Sequence, residues 1–390
     1  MPWHRGRGDR ARSDGAARRG RRSAPAAVSR HPHGAVQRPP SCDIAGTAHG
    51  SRVRVGSFGG LVPSREFAVP SVASSPDVLA PVPGGGASTE VAEYRLSWEG
   101  YAYTARVARL GSPVTEPLLV LGGSDQTRYS WVRHERWLGE LGTVVTVDLP
   151  GFGDADFLPV EHGIDFLAEC AGHMLRELGL GPVNLYAGCY GAAVGLRLTQ
   201  RYPHLLRRVA VQGMSDHIPD WFAESLKGWV RLLEEGRVEE TAEEFVRCFV
   251  PPPGDRTVRK HAALTRLMYQ QFAAQSPRDV SVTVERNRRL LAHEWYRRAP
   301  VPAVPYLVFT GEHDTLTTPD LVRSVAADLP GAWFTTITEC GHLAHLQRPQ
   351  DLCDLLVRFF RDHRPQDAGL PYCGPFERFQ GPPVPRAPRA

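Results

Sequence analysis

The sequence predicts an α/β protein built on a mostly parallel sheet, with a helical insertion before the last strands. Three observations predict it. Short apolar runs rich in Val, Ile and Leu alternate with helix-spaced segments from Leu118 to Gln212, the pattern of a sheet buried on both faces. The alternation then gives way to a long amphipathic helical stretch, 215–300, carrying Trp221, Phe222, Trp229, Phe245, Phe249, Met268, Phe272 and Trp295. Strand signals return at Val304–Phe309 and Trp333–Thr336.

Taken in order, residues 1–88 read as a disordered tail. Residues 1–54 hold twelve Arg against three acidic residues, a local balance of +9, while the whole chain is only +4. The basic pI of about 8.7 belongs to that tail, and the rest of the chain sums to −5. The tail is poor in Leu, Ile and Phe, so it cannot bury enough apolar surface to offset its ordering entropy. A charge run alone is a weak sign of a nucleic-acid arm, and no nucleic-acid partner is expected. No apolar stretch follows the Arg pairs at 18–19 and 21–22, which excludes a twin-Arg export signal. No run of about 18 apolar residues is present, so no membrane span is expected. The seven cysteines form no CxxC pair. A reduced, cytoplasmic protein without a disulfide framework or metal site is the simple expectation, and no cofactor fingerprint is evident.

The expected core covers 89–214 and 301–363. Val91–Trp98 and Tyr101–Val107 alternate around Glu99-Gly100, a hairpin signal. Pro117–Leu121 is a buried strand ending at Gly122-Gly123. A helical stretch at Trp131–Leu141 leads to a strand at Val144–Asp148, and a helix at Asp165–Leu178 leads to another at Val183–Ala187. A helix at Ala192–Tyr202, a strand at Arg208–Gln212 and a closing helix at Gln350–Phe360 complete the core. The segment 364–390 is Pro-rich and reads as a loose C-terminal tail.

The sharpest chemical signal is Gly188-Cys189-Tyr190-Gly191-Ala192, placed between a strand and a helix. A nucleophile elbow needs small residues on either side of its tight turn, and the following helix points its N-terminus at the site. A cysteine there should have a lowered pKa and a larger thiolate fraction. Asp314 follows a strand in Thr310-Gly311-Glu312-His313-Asp314, and His342 follows the last strand in Cys340-Gly341-His342. Nucleophile, acid, then His is the order in which this kind of triad is built.

These pieces, with Asp148-Leu149-Pro150-Gly151-Phe152-Gly153, resemble the α/β-hydrolase superfamily from about Leu118 to Phe360. The resemblance implies an eight-stranded, mostly parallel sheet with a helical cap. It implies Cys189 as nucleophile, His342 as base and Asp314 as the acid that orients it. The oxyanion hole is assigned to the backbone N–H groups of Ser124 and Tyr190, with Gly123 as the alternative to Ser124. The sequence departs from the pattern twice: the usual Ser is Cys189, and the usual His-Gly loop is Gly122-Gly123. A weaker resemblance is to thioesterase-like members and to the acyltransferases that join 3-hydroxyacyl units into a rhamnolipid precursor. It rests on the loop without His, the aromatic cap and Gly341-His342-Leu343-Ala344-His345.

A cysteine acyl-enzyme is a thioester, which exchanges near-isoenergetically with thioester substrates and is open to attack by amines, alcohols and thiols. The expected activity is therefore acyl transfer or thioester hydrolysis on a carrier- or coenzyme-A-bound acyl group. A lactone or ester hydrolase with a Cys triad is the alternative, and a silent ligand-binding protein the third reading. The competing role for Cys189 is a small buried filler, which the retention of Asp314 and His342 disfavours. His345 rivals His342, and Asp216 rivals Asp314. Asp125 is a loop residue or substrate contact. Trp221 and Phe222, nearest the sixth strand's end, are the first candidates for lining the substrate pocket. An acyl carrier protein is a candidate partner, meeting Arg286, Arg288, Arg289 and Arg297 through its acidic surface.

Overall fold

The computed structural model describes residues 77–79, 90–250 and 258–381. The basic tail expected at 1–88 lies outside these, except that Asp77–Leu79 forms strand β1. The core then runs β2 (Glu90–Trp98), β3 (Tyr101–Arg109), β4 (Leu118–Leu121), α1 (Glu135–Leu138), β5 (Thr143–Asp148), α2 (Ile164–Glu177), β6 (Val183–Gly188), α3 (Tyr190–Arg201) and β7 (Leu206–Gln212). Four helices follow: α4 (Asp220–Glu234), α5 (Val238–Phe249), α6 (His261–Ala273) and α7 (Pro277–Ala292). The chain returns through β8 (Tyr306–Gly311), α8 (Pro319–Ala327), β9 (Trp333–Ile337), α9 (Ala344–Gln347), α10 (Pro349–Phe360) and β10 (Glu377–Arg378).

The strands form one open sheet in the order β1-β2-β3-β5-β4-β6-β7-β8-β9-β10. Pairing is parallel from β5 through β9 and antiparallel at both ends. The eight strands β2–β9 are thus extended by one short strand at each edge. Period-2 alternation sends Leu119 and Leu121 of β4 to the core that holds α2, α3 and α8. Leu118 and Val120 go to the opposite core with α10.

Two expectations need correction. The stretch 131–141 is helical only from Glu135, because Thr127–His134 makes successive turns. The C-terminal segment is not loose up to Gly381: Leu370 and Tyr372 are buried, and β10 pairs with β9. Its described prolines, Pro365, Pro371 and Pro375, all precede β10 and do not prevent packing.

The four-helix insertion is tied down by polar contacts from α7 to the loop after β5. Arg289 is only 1 % exposed and is held by main-chain carbonyls. Its Nε donates to the His162 carbonyl (2.6 Å) and one terminal nitrogen to the Leu158 carbonyl (2.5 Å). His293 Nε2 lies 2.5 Å from the Val160 carbonyl, and Arg278 donates to the Ala155 carbonyl at 2.6 Å. Arg289→Met would strand buried carbonyls, each of which costs free energy when left unpaired. We expect unfolding in urea to show a loss of about 3 kcal/mol. The exposed, ion-paired Arg288→Met should lose less than about 1 kcal/mol.

Candidate active site

Cys189 sits between β6 and α3 with φ 52° and ψ −120°, a conformation that costs a non-glycine residue free energy unless its surroundings impose it. They do. Its N–H donates to the Gln212 carbonyl (2.9 Å), and its own carbonyl accepts from Ala192 N–H (2.9 Å). Gly191 N–H donates to the Gly122 carbonyl at 3.0 Å, and a Cβ there would fall 2.3 Å from the Leu121 carbonyl oxygen. Only glycine lets the elbow close against the end of β4.

Asp314 lies three residues past the end of β8, fully enclosed. Its carboxylate accepts from Leu316 N–H (2.9 Å), Thr317 N–H (3.0 Å), Thr317 Oγ1 (2.8 Å) and Thr310 Oγ1 (2.5 Å), and lies 2.8 Å from His342 Nδ1. Gly311 permits this, because a side chain there would collide with the Gly341 and Cys340 carbonyls. Burial alone would raise the Asp314 pKa, but the His342 charge and these hydrogen bonds hold it below the ordinary carboxylate value. Burial alone would lower the His342 pKa. The Asp314 charge, and after it that of Cys189, override this and hold the imidazolium well above its ordinary range. The other ring nitrogen, Nε2, is buried without a nitrogen or oxygen partner among the described residues. Cys189 and His342 line the same cleft.

The structure thus brings Cys189, His342 and Asp314 together and separates the rivals. Asp216 pairs with His217 (2.7 Å) and Arg298 (3.0 Å). His345 Nε2 is 3.1 Å from Gln126 Nε2, so the neutral ring accepts there; burial, with the nearby His134 and His342, pushes its pKa down to about 3. Gln126 also accepts from Trp131 Nε1 at 2.8 Å, and so braces the loop that carries Gly122–Ser124. Neither Ser124 nor Tyr190 N–H donates to another backbone group among the described residues. Cys340 is structural: its thiol donates to Gln347 Oε1 (3.2 Å), and burial raises its pKa.

Two spaces meet at Cys189. One is a narrow apolar pocket under the insertion, bounded by Phe222, Leu226, Trp229, Phe249, Leu290 and Trp295. The other is a cleft of about 620 Å³, lined by polar residues including Asp125, Gln126, Arg286 and His345 as well as by Phe245 and Met268. Phe222 lines the narrow pocket and Trp221 does not. It is 48 % exposed and rests on the Phe222 ring at 5.6 Å between centroids. The spacing Phe222, Leu226, Trp229 marks the inner stripe of α4, and Trp221 lies about 100° off it. Trp229, Phe249 and Trp295 belong to the insertion's aromatic pattern, but nothing local to them signals the pocket.

The four arginines expected to meet a carrier do not form a free basic face. Arg289 is buried, and Arg286 is buried and bonded to Asp125 at 2.5 Å. Arg288 pairs with Glu285 and Glu234, and Arg297 with Glu294 and Asp165. Asp125 is therefore a tie between the loop and α7. Among the described residues no cluster of His, Cys, Asp or Glu could hold a metal ion, and no helix is long and apolar enough to cross a membrane.

An open parallel sheet with a strained residue at a strand–helix turn, and an Asp–His pair on the loops beyond later strands, defines a class of enzyme-like fold. The chain belongs to the family described by the alpha/beta hydrolase fold, which matches residues 142–349. Its relatives are hydrolases and acyltransferases, so an enzyme is the expected product of this chain. It is 24% identical over 285 residues to (R)-3-hydroxydecanoyl-ACP:CoA transacylase of Pseudomonas aeruginosa, covering 70% of this chain and 89% of that one. It is 25% identical over 254 residues to the biotin biosynthesis bifunctional protein BioHC of Teredinibacter turnerae, covering 59% of this chain but only 41% of that relative's length. An alpha/beta hydrolase enzyme from a Medee basin deep-sea metagenome library has the same fold (TM-score 0.61, 17% identity, 68% of this chain and 96% of that one).

The origin of the His342 charge can be tested directly. In Asp314→Asn the buried carboxylate is gone while burial persists, so the His342 pKa should fall. Titration of its ring carbon by NMR should show a drop of at least about one unit; an unchanged pKa would place the stabilising charge elsewhere. The ion pair's contribution to stability should be lost as pH falls through the lowered Asp314 pKa, and again as pH rises through the raised His342 pKa.

Proposed function

We propose that the chain is an acyltransferase or thioesterase acting on a carrier- or coenzyme-A-bound acyl thioester through an acyl group held on Cys189. The observation that carries this reading is the pairing of a strained, partly accessible thiol with a buried imidazole whose second nitrogen has no nitrogen or oxygen partner among the described residues.

The steps follow from the parts. The Cys189 sulfur attacks the acyl carbonyl, and the carbonyl oxygen takes the negative charge. The Tyr190 N–H, at the start of α3, and the Ser124 N–H are donors for that oxyanion, with Gly123 as the alternative to Ser124. The tetrahedral centre collapses with loss of the carrier thiolate, which takes its proton from His342. An acceptor hydroxyl, amine, thiol or water then gives a proton to His342 as it attacks the enzyme thioester, and Cys189 is released. Asp314 fixes the imidazole tautomer and compensates its charge throughout. The apolar pocket suits an acyl chain, and the larger polar cleft suits the leaving carrier group and the acceptor. The transacylase likeness supports a carrier-linked donor.

Mixing the protein with a panel of acyl thioesters should add one acyl mass to the intact chain, and Cys189→Ala should abolish it. His342→Gln should slow acylation by about 10²–10⁴-fold. If wild type neither takes up acyl mass nor turns over thioester, the proposal fails.

A further inference from the structure

We infer that the acyl chain accepted by this site carries an oxygen along its length, a hydroxyl or carbonyl, and that Asn287 recognises it. This rests on the reading above, in which Cys189 holds the acyl group and the apolar pocket holds its chain.

The pocket beside Cys189 is walled by Ile218, Phe222, Leu226, Trp229, Leu290 and Trp295. Its polar side chains are almost all committed. Ser215 Oγ donates to the His217 carbonyl (2.7 Å), Trp295 Nε1 to the Ser215 carbonyl (3.1 Å), and Thr317 Oγ1 to Asp314 (2.8 Å). Ser124, at the mouth, donates to Asp125 at 3.0 Å. Two differ. Tyr190 and Asn287 both line the pocket, and the Tyr190 hydroxyl and the Asn287 amide nitrogen are buried without a hydrogen-bond partner among the described residues; at 7 % exposed against 1 %, Asn287 is the more accessible of the two.

The oxygen and nitrogen of a primary amide are nearly identical in shape and exchange places by a flip, so the unpaired nitrogen and the rest of the amide can trade places at the pocket wall. Buried amides without partners are disfavoured, and those that persist in a folded protein call for a specific explanation. A purely alkyl chain would leave the amide unpaired. A chain bearing a hydroxyl could accept from the amide nitrogen or donate to its oxygen; a ketone could accept. Helix geometry supports a role facing the pocket. On α7, Asn287 and Leu290 face this pocket, while Asp279, Val282, Thr283 and Arg286 line the cleft. Leucine at 287 would complete an apolar wall, and the chain has asparagine there.

The test compares acylation rates of full-length protein, by intact mass, for chain-matched acyl-coenzyme A pairs with and without a hydroxyl or keto group at successive carbons. We expect wild type to favour one oxygen-bearing isomer by about tenfold or more, since a site built for a polar group rejects the analogue lacking it. Asn287→Leu should erase or reverse that preference while still being acylated by the plain chain. Equal wild-type rates for every pair would overturn the inference even if Asn287→Leu failed to fold. A preference that survives in a folded Asn287→Leu would overturn the assignment to Asn287. Absence of Cys189 acylation with all substrates would instead reject the underlying acyl-enzyme reading.

Discussion

The turn at Cys189 is held from three directions, and each hold recruits a different part of the fold. From below, β6 delivers the residue and Tyr186 anchors its end by donating to Gln212 Oε1 at 2.6 Å. From one side, Gly191 lies against the last carbonyls of β4. From the other, the Gln212 main chain accepts the Cys189 N–H, while its side-chain amide donates to the His342 carbonyl at 2.9 Å. One residue at the end of β7 therefore ties the elbow to the loop that carries the imidazole. The strained backbone is sustained because strands β4, β6 and β7 end level with each other, as parallel pairing in register makes them do.

The electrostatic half of the site depends on desolvation handled by geometry. A carboxylate sealed from water is costly unless several donors and a cation surround it. Asp314 has two backbone N–H groups, two threonine hydroxyls and the His342 ring. None of these donors is a mobile surface group. The imidazole is therefore fixed in direction, its Nδ1 committed to Asp314 and its Nε2 left without a hydrogen-bond partner among the described residues. His345, three residues on, is held neutral and does not compete for the Asp314 charge. Its bond to Gln126 instead stiffens the loop opposite Cys189.

What was legible in the sequence was what is local. The strand, the small residues and the helix around Cys189 are contiguous, and Asp314 and His342 each follow a strand by a fixed short spacing. The misplaced residues depend on partners far along the chain. Arg286 and Arg289 read as free charges because Asp125 and the carbonyls of Leu158 and His162 are more than a hundred residues away. Strand β10 is two residues long, and only the exposed edge of β9 makes it a strand. Trp221 was within reach of helical arithmetic, since the stripe through Phe222 and Trp229 excludes it. Asn287 was not, because it stands in a run of arginines and its isolation exists only once Phe222, Leu226 and Leu290 surround it.

In the proposed mechanism, the choice between transfer and hydrolysis turns on how the two spaces meet at Cys189. The narrow pocket is apolar, so in that mechanism it would protect one face of the acyl-enzyme from water. The cleft is wider and lined by both polar and apolar side chains, and it offers no such protection by itself. An acceptor that fills it would displace the water lying next to the thioester and take the place from which His342 removes a proton. Transfer then needs no catalytic group that hydrolysis lacks; it needs occupancy of the cleft. Arg286 on α7 and Asp125 on the loop after β4 are ion-paired and both line that cleft, so a bound acceptor and the geometry of the loop would share one contact. A molecule large enough to touch both would be positioned by the same residues that brace the donors for the developing charge, and water, which touches neither firmly, would not.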